Sequence, residues 1–437
     1  MREDNFYEKI LDPNKISEKP EALKGIRVLE LCNVVLGPAL TDFLAEFGAE
    51  VIKVELPGIG DVMRTVTPGF FYYRNLSPGF EEQNHNKYHV AIDLRKNEGR
   101  ELIYRIVRKC DVVADNYRPG TLDKWGIGYR QLSKIKPDII YVACSGFGQW
   151  GRDALRVSYD AVAQAESGLM HITGFPGRPP IKSGAWILDF QTSITGAMAV
   201  VAALIYRKRT GKGQFIDVTQ IESAIRMMDW TWVYIGLTGN DRDRVGNRDL
   251  AIVPSNVYRT KDGFVAIAAF TPEEFLGLCS AMGREDLKKY ENPEDRLIPK
   301  VAEEIDLAIS EWCKNLTSSE IEEVGERYGF PCSKVLSAED IYYSEHFRAR
   351  KTVWTLEDHL YGEVAEVQAI KMSETPGRIK WVGRPVGFDN EHVFVRLLGM
   401  SVDEIKSLEE KGVIGKWSDR KGSSPPENWD GKSGLFF

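Results

Sequence analysis

Between residues 26 and 55 the chain passes from one short apolar run to another through a single helical stretch, and this restricts the fold more than any other feature. Ile26-Arg-Val-Leu-Glu-Leu31 reads as a buried strand, and Gly37-Pro38 breaks the run. Residues 39–47 carry apolar side chains at helical spacing, and Val51-Ile-Lys-Val-Glu55 is a second strand reached through Gly48. Links this short set the two strands parallel, with the helix as their crossover. The alternation repeats through strand 90–94, helix 98–109, strand 111–115, helix 131–136, strand 139–143, helix 197–209 and strand 214–218. The expected fold is therefore α/β with a parallel sheet. Such sheets take ligands beyond the carboxyl ends of their strands. Here those ends lead into Asn116-Tyr117-Arg118-Pro119-Gly120 and Ser145-Gly-Phe-Gly148. The first turn holds Gly37-Pro38 rather than a G-x-G-x-x-G run, which argues against a dinucleotide cofactor.

A chain of 437 residues exceeds one ordinary core, so two domains are expected. The pattern changes after a helix over 219–235. A polar stretch, 236–256, precedes an Asp262-Gly263 hairpin between residues 257–259 and 264–268, and helices are expected over 272–282, 297–314 and 318–327. The division read from this is an arm (1–24), a large domain (25–224), a small domain (225–340), a return to the large domain (341–413) and a tail (414–437). The tail carries Ser423-Ser-Pro-Pro426 and reads as extended and weakly ordered. A hydrophobic content of 43% with 28% charged residues fits a soluble globular protein. The net charge of −7, without a basic tract, argues against nucleic acid as a partner. The charged N-terminus lacks the apolar region of a signal peptide, and no run of about 18 apolar residues is evident, so a cytoplasmic protein without a membrane span is expected. The six cysteines are scattered, with no C-x-x-C pair and no clustered histidine. They read as small core residues rather than metal ligands.

One stretch stands apart. In Ser183-Gly-Ala-Trp-Ile-Leu-Asp-Phe190 a single carboxylate, Asp189, sits at the entrance to an apolar helix. A charge there is costly unless it is hydrogen-bonded or used. Capping the helix is one reading and a reactive group is the other, and position alone leaves both open. In either case the helix dipole would be expected to keep the carboxylate ionised.

Several segments, taken in order, carry a resemblance. They are Gly25-Ile-Arg-Val-Leu-Glu-Leu with Val35-Leu-Gly-Pro38, Phe47-Gly-Ala-Glu-Val-Ile-Lys-Val-Glu55 with Gly60-Asp61, Asn86-Lys87 with Ile92-Asp-Leu-Arg95, Asn116-Tyr-Arg-Pro-Gly120 with Gly126-Ile-Gly-Tyr129, Ser145-Gly-Phe-Gly148 with Tyr159-Asp160 and Gln164-Ala165, Arg209-Thr-Gly-Lys-Gly-Gln214 and Gly329-Phe-Pro331. Over residues 25–413 the chain resembles the class III coenzyme A transferases of the formyl-CoA transferase, carnitine-CoA transferase or CaiB/BaiF type. The resemblance implies a Rossmann-like large domain, a smaller α+β domain and two chains interlocked as a dimer, either a homodimer or a heterodimer with a paralogue. It implies an enzyme that moves CoA from an acyl-CoA to a carboxylic acid, with CoA thioesters as substrates and no permanently bound cofactor or metal. Asp189 matches the family's nucleophile, which forms an aspartyl-CoA thioester.

The CoA-binding positions that carry over are Val35 and Leu36 after the first strand, Ile92, Asp93, Leu94 and Arg95 near the phosphates, Asn116, Tyr117 and Arg118 at a strand end, and Lys124, Arg156 and Tyr159. Arg95 and Lys124 read equally well as surface charges, and Tyr159 as core. Formyl-CoA transferase has a glutamine at the Val35 position and a run of consecutive glycines before the hairpin. This chain has neither, so formate and oxalate are not expected substrates. The α-methylacyl-CoA racemases share the fold but need a His-Asp pair of bases. The matching run here is Ser158-Tyr159-Asp160, without the histidine, which favours the transferase. One subunit of a heteromeric transferase, of the succinyl-CoA:aryl- or alkylsuccinate type, is a further alternative. The aromatic runs Phe70-Phe-Tyr-Tyr73 and Trp230-Thr-Trp232 are candidates for an acyl pocket or for core.

Overall fold

The computed structural model describes residues 6–431. They divide into two compact units: Gly168–Lys182 with Asp229–Ser344 make one, and the remainder makes the other.

The larger unit is built on a six-stranded sheet in the order β3-β2-β1-β4-β5-β6. The strands are β1 (Arg27–Leu31), β2 (Glu50–Glu55), β3 (Lys87–Ala91), β4 (Val112–Asp115), β5 (Ile140–Ser145) and β6 (Gln214–Thr219). Every neighbouring pair is parallel. Alternate residues feed two separate cores. Leu29, Leu31, Ile52, Val113 and Tyr141 pack with Ile103, Ile106 and the C-terminal Val393, Phe394 and Val413. Val28, Val51, Val112, Ile140 and Val142 pack with Leu40, Leu44, Ala197, Val200 and Ala203. Burial on both faces is why these strands read as nearly unbroken apolar runs. The winding direction reverses between β1 and β4, so the crevice lies beyond their carboxyl ends.

The helix Ile187–Thr210 lies on the second face against the helix Leu36–Glu46. Gly196 permits the approach, because a Cβ there would stand 2.3 Å from Leu40 Cδ1. Among the described residues this helix is long and apolar enough to cross a membrane, contrary to the sequence reading. It packs as a core helix, however, with Leu188, Ser193, Gly196, Ala197, Val200 and Ala203 buried. Its opposite face leaves Ile194, Met198, Val201 and Ile205 exposed, Met198 by 67%.

Three expectations need correction. The third strand begins at Lys87 and ends at Ala91, so Ile92–Arg95 form the turn beyond it. Buried Lys87 and His89 disguise the strand: Lys87 Nζ is neutralised by Glu30 at 2.9 Å, and His89 Nδ1 lies 2.8 Å from Glu55. The helix expected over 219–235 is two helices, Gln220–Met227 and Thr231–Thr238. They are broken at Asp229 (φ 38°), where the units divide. The tail is packed rather than loose as far as Trp429, and residues 432–437 of it lie outside the described residues. Phe388 lies 6.4 Å from Trp417 and 5.8 Å from Trp429, ring centre to ring centre, and Arg64 Nη1 donates to Gly422 O at 3.0 Å. An antiparallel hairpin, β10 (Val353–Asp358) and β11 (Gly362–Val367), also belongs to this unit.

The smaller unit holds an antiparallel sheet of β7 (Ser255–Arg259), β8 (Phe264–Ala268) and β9 (Cys332–Lys334). Val265 and Ile267 pack with Phe275, Ile305, Ile309 and Ile321 of three helices. Two of these helices open with capping boxes, Thr271 with Glu274 and Thr317 with Glu320. Residues 168–182 cluster with this unit rather than with the large domain where the sequence division put them. All six cysteines are free, and all but Cys332 are buried.

Candidate active site

Asp189 lies in the first turn of the Ile187–Thr210 helix, but it is not the cap. Trp186 holds the cap position and makes no side-chain cap hydrogen bond. The Asp189 side chain is buried, and its Oδ1 accepts a 2.5 Å hydrogen bond from Gln220 Nε2. Ser158 Oγ donates to Gln220 Oε1 at 3.0 Å, which fixes the amide so that its NH2 group faces the carboxylate. A second buried carboxylate, Asp160, begins the helix Asp160–Glu166. Its Oδ1 accepts from Leu188 N at 2.8 Å and its Oδ2 from Gln164 Nε2 at 2.6 Å. Gln164 Oε1 in turn accepts from Ser183 N at 2.8 Å, which anchors the approach to the helix. Asp160 thus satisfies the orphan N–H that a capping side chain would have taken. Ser193 Oγ donates to Leu36 O (2.5 Å) and to Asp189 O (2.7 Å), tying the turn after β1 to the same helix.

The electrostatics reverse the expectation that the helix dipole keeps Asp189 ionised. Burial, then the charge of Asp160, push its pKa up to about 7 against the opposing hydrogen bond from Gln220. Asp160, Gln164 and Gln220 were not singled out from sequence as site residues. Tyr159-Asp160 and Gln164-Ala165 are among the segments that carry the family resemblance, with Asp160 read as a structural neighbour of Asp189, while Gln220 carried no such signal.

The twelve expected CoA-binding residues fall into distinct surroundings. Val35 and Leu36 are core side chains, so any ligand beside them meets backbone. Asn116 grips the backbone of Asn33 from both ends of its amide, at 2.9 and 2.6 Å, and joins the ends of β1 and β4. Ile92 and Leu94 are buried, while Asp93 pairs with Arg95 through 2.8 Å contacts to both carboxylate oxygens. The Arg95 side chain is otherwise exposed. Lys124 is exposed, and Arg156 is bound to Glu166 at 2.8 and 2.9 Å. Tyr159 is 64% exposed, which removes the reading as core. The aromatic run at 70–73 is divided: Phe70 and Phe71 are exposed, Phe70 by 90%, while Tyr73 packs against the core.

Tyr117 and Arg118 line a cavity of about 530 Å³ that runs from the end of β4 over Tyr141 of β5 and Phe215 of β6, together with Asp115, Tyr129, Arg130 and Gln149. The other expected positions lie outside its wall. Arg118 Nη2 donates to Leu155 O at 2.8 Å across the rim. At the cavity floor Tyr141 donates to Asp115 Oδ2 at 2.6 Å. Burial pushes the Asp115 pKa up to about 7 despite that hydrogen bond and the one from Tyr117 N. Neither Asp115 nor Tyr141 was marked in the sequence, because within a strand each reads as one more packed residue.

A six-stranded parallel sheet with a reversal between β1 and β4, a ligand-sized cavity against it and a buried carboxylate at a helix start fit an α/β protein that acts on a bound small molecule. The chain belongs to CoA-transferase family III, whose sequence profile matches residues 23–390. It is 35% identical over 400 residues to the succinyl-CoA–D-citramalate CoA-transferase of Chloroflexus aurantiacus, an alignment covering 90% of this chain and 98% of that protein. It is 36% identical over 396 residues to the alpha subunit of the succinyl-CoA–L-malate CoA-transferase of the same organism, covering 90% and 92%. The crystal structure of a CaiB/BaiF family protein from Brucella suis superposes with a TM-score of 0.77 at 29% identity, over 87% of this chain and all of that one.

Proposed function

We propose that this enzyme moves coenzyme A from succinyl-CoA to a small dicarboxylic acid, with Asp189 as the nucleophile. The observation that carries the reading is the buried, Gln220-bound carboxylate of Asp189 in a family of CoA-transferases. Asp189 Oδ2 attacks the thioester carbonyl, the C–S bond breaks, and CoA leaves as thiolate. The thiolate then attacks the aspartyl carbonyl of the resulting anhydride, releasing succinate and leaving an aspartyl-CoA thioester. The acceptor carboxylate attacks that thioester, a second anhydride forms, and the returning thiolate yields the new acyl-CoA and free Asp189. Each step exchanges a carboxylate for a thiolate, so no proton or phosphoryl donor is consumed. Gln220 orients the carboxylate and offers an N–H to negative charge developing on it. Burial of Asp189 keeps water from the anhydride and thioester.

The cavity lined by Tyr117 and Arg118 receives the nucleotide end of CoA, with Arg118 and Arg130 facing its phosphates. The backbone at Val35 and Leu36 and the turn 92–95 flank the ligand's path, and Lys124, Arg156 and Tyr159 lie on its outer side. Both named relatives use succinyl-CoA and hydroxy-dicarboxylic acids, which supports a dicarboxylic acceptor over the bulky aromatic acid that Phe70–Tyr73 would suggest. The working molecule is a dimer: the exposed stripe Ile194, Met198, Val201 and Ile205 is too continuous for a free helix face. The test is Asp189→Ala, which should retain its fold and lose succinyl-CoA-dependent transfer by at least about 10³-fold. Unchanged turnover would overturn the mechanism. Rapid exchange of the α-proton of a 2-methylacyl-CoA, without an acceptor acid, would instead favour a racemase.

A further inference from the structure

The geometry points to a buried divalent-metal site in the larger unit, centred on His85 Nε2 and held by Asp42 and Glu46, with Glu81 and Glu366 behind the ring. Asp42 and Glu46 stand one turn apart on the helix Leu36–Glu46, on its buried side. Like charges at that spacing oppose a helix, and burial raises the cost. Glu81 and His85 come from the short helix Pro78–Glu81 and the turn after it, and Glu366 from β11. His85 is 4% exposed and no carboxylate of the group exceeds 8%.

The distances suit coordination. His85 Nε2 lies 2.8 Å from Asp42 Oδ2 and 3.5 Å from Glu46 Oε1, and Nδ1 lies 3.9 Å from Glu366 Oε2. The ligand atoms of Asp42, Glu46 and His85 all fall within 4.8 Å of one another, as do those of Glu81, His85 and Glu366. Metal–ligand bonds of about 2.1 Å place neighbouring ligand atoms roughly 3.0–3.4 Å apart. His85 Nε2 pairs with Asp42 Oδ2, but Asp42 Oδ1, Glu81 Oε1 and Glu366 Oε1 are buried without a hydrogen-bond partner. So many unsatisfied polar atoms around one ring are an unfilled requirement for charge.

No nearby side-chain cation meets it. Lys87 Nζ is engaged by Glu30 (2.9 Å) and by the carbonyls of Pro38 and Gln83 (each 2.7 Å). Lys371 Nζ binds the carbonyls of Lys351 and Gln368. A protonated His85 would balance only one of the four carboxylates. One imidazole nitrogen with carboxylate oxygens favours a first-row divalent ion such as Mn²⁺, Fe²⁺ or Zn²⁺ over Ca²⁺. Glu366, facing Nδ1, would fix the ring, and Gln368 Nε2, 3.4 Å from Glu46 Oε2, would orient that ligand. The ion would fasten the β10–β11 hairpin to the helix Leu36–Glu46.

The full chain, purified without chelator or added metal, is analysed by inductively coupled plasma mass spectrometry, and its melting temperature is followed through EDTA treatment and re-addition of Mn²⁺, Fe²⁺, Zn²⁺ or Mg²⁺. About one equivalent of a first-row ion per chain is expected, with a melting temperature that falls on chelation and recovers with that ion. Asp42→Asn and His85→Gln should each lose the ion. If either fails to fold, Glu46→Gln and the wild-type chelation series read the same quantity. A folded wild-type chain that carries no metal, and whose melting temperature ignores all four ions, overturns the site.

Discussion

Burial and the Asp160 charge push the Asp189 pKa up to about 7, and in the proposed mechanism only the ionised carboxylate attacks the thioester. Transfer should therefore rise with pH through an apparent pKa of about 7, read as kcat/KM against pH. Asp160→Asn removes the neighbouring charge while an amide oxygen can still accept from Leu188 N, so the inflection should move to lower pH. An unmoved profile would mean that Asp160 does not act on Asp189. The same shift bears on stability. The folded carboxyl titrates above its unfolded value, so its contribution to folding is fully present below the unfolded pKa and is lost as pH rises through about 7. Asp189→Asn should thus melt higher than wild type at pH 8, by up to about 4 kcal/mol of stability, and the difference should disappear in acid. Asp189 was legible in the sequence as the one carboxylate in an apolar helix entry. Its raised pKa was not, because burial and Asp160 outweigh the dipole, and Gln220 arrives from 31 residues downstream.

Elements show a similar division. The six parallel strands were legible because burial on both faces leaves continuous apolar runs. Buried ion pairs interrupt those runs without hiding β1 or β2. Lys53 bridges Glu30 (2.7 Å) and Asp61 (2.9 Å), and Arg64 holds Glu55 at 2.7 Å, all with buried side chains. Lys87 and His89 hid the true limits of β3 by the same chemistry. Arg64 also donates to Gly422 O and Arg384 O, at 3.0 and 2.8 Å, so it couples β2 to the C-terminal segment that Ser423-Ser-Pro-Pro426 made look loose. Arg64→Met should leave Glu55 buried without its partner and cost about 3–5 kcal/mol in urea unfolding. Truncation after Val413 uncovers Phe388 and removes the Gly422 carbonyl, and should lower the melting temperature. An unchanged midpoint in both variants would contradict this coupling. The buried cluster around His85 escaped the sequence for a related reason: its ligands come from three separate segments with no metal-site spacing.

For the whole molecule, fold and family were legible through ordered short motifs, while acceptor and assembly were not. The proposed threading of two chains would leave no periodicity in one sequence. What it would leave is an apolar helix face with nothing over it, as at Ile194, Met198, Val201 and Ile205. Met198→Asp should convert a dimer, measured by light scattering, to monomer or insoluble chain, and a wild-type monomer would contradict the proposed assembly. The most direct measurement is covalent. The protein is incubated with succinyl-CoA and no acceptor, quenched with hydroxylamine and mapped by peptide mass. A hydroxamate on Asp189, absent when CoA thioester is omitted and absent in Asp189→Asn, is the expected result. Full transfer activity with Asp189 unmodified, or a hydroxamate on another carboxylate, would contradict the mechanism.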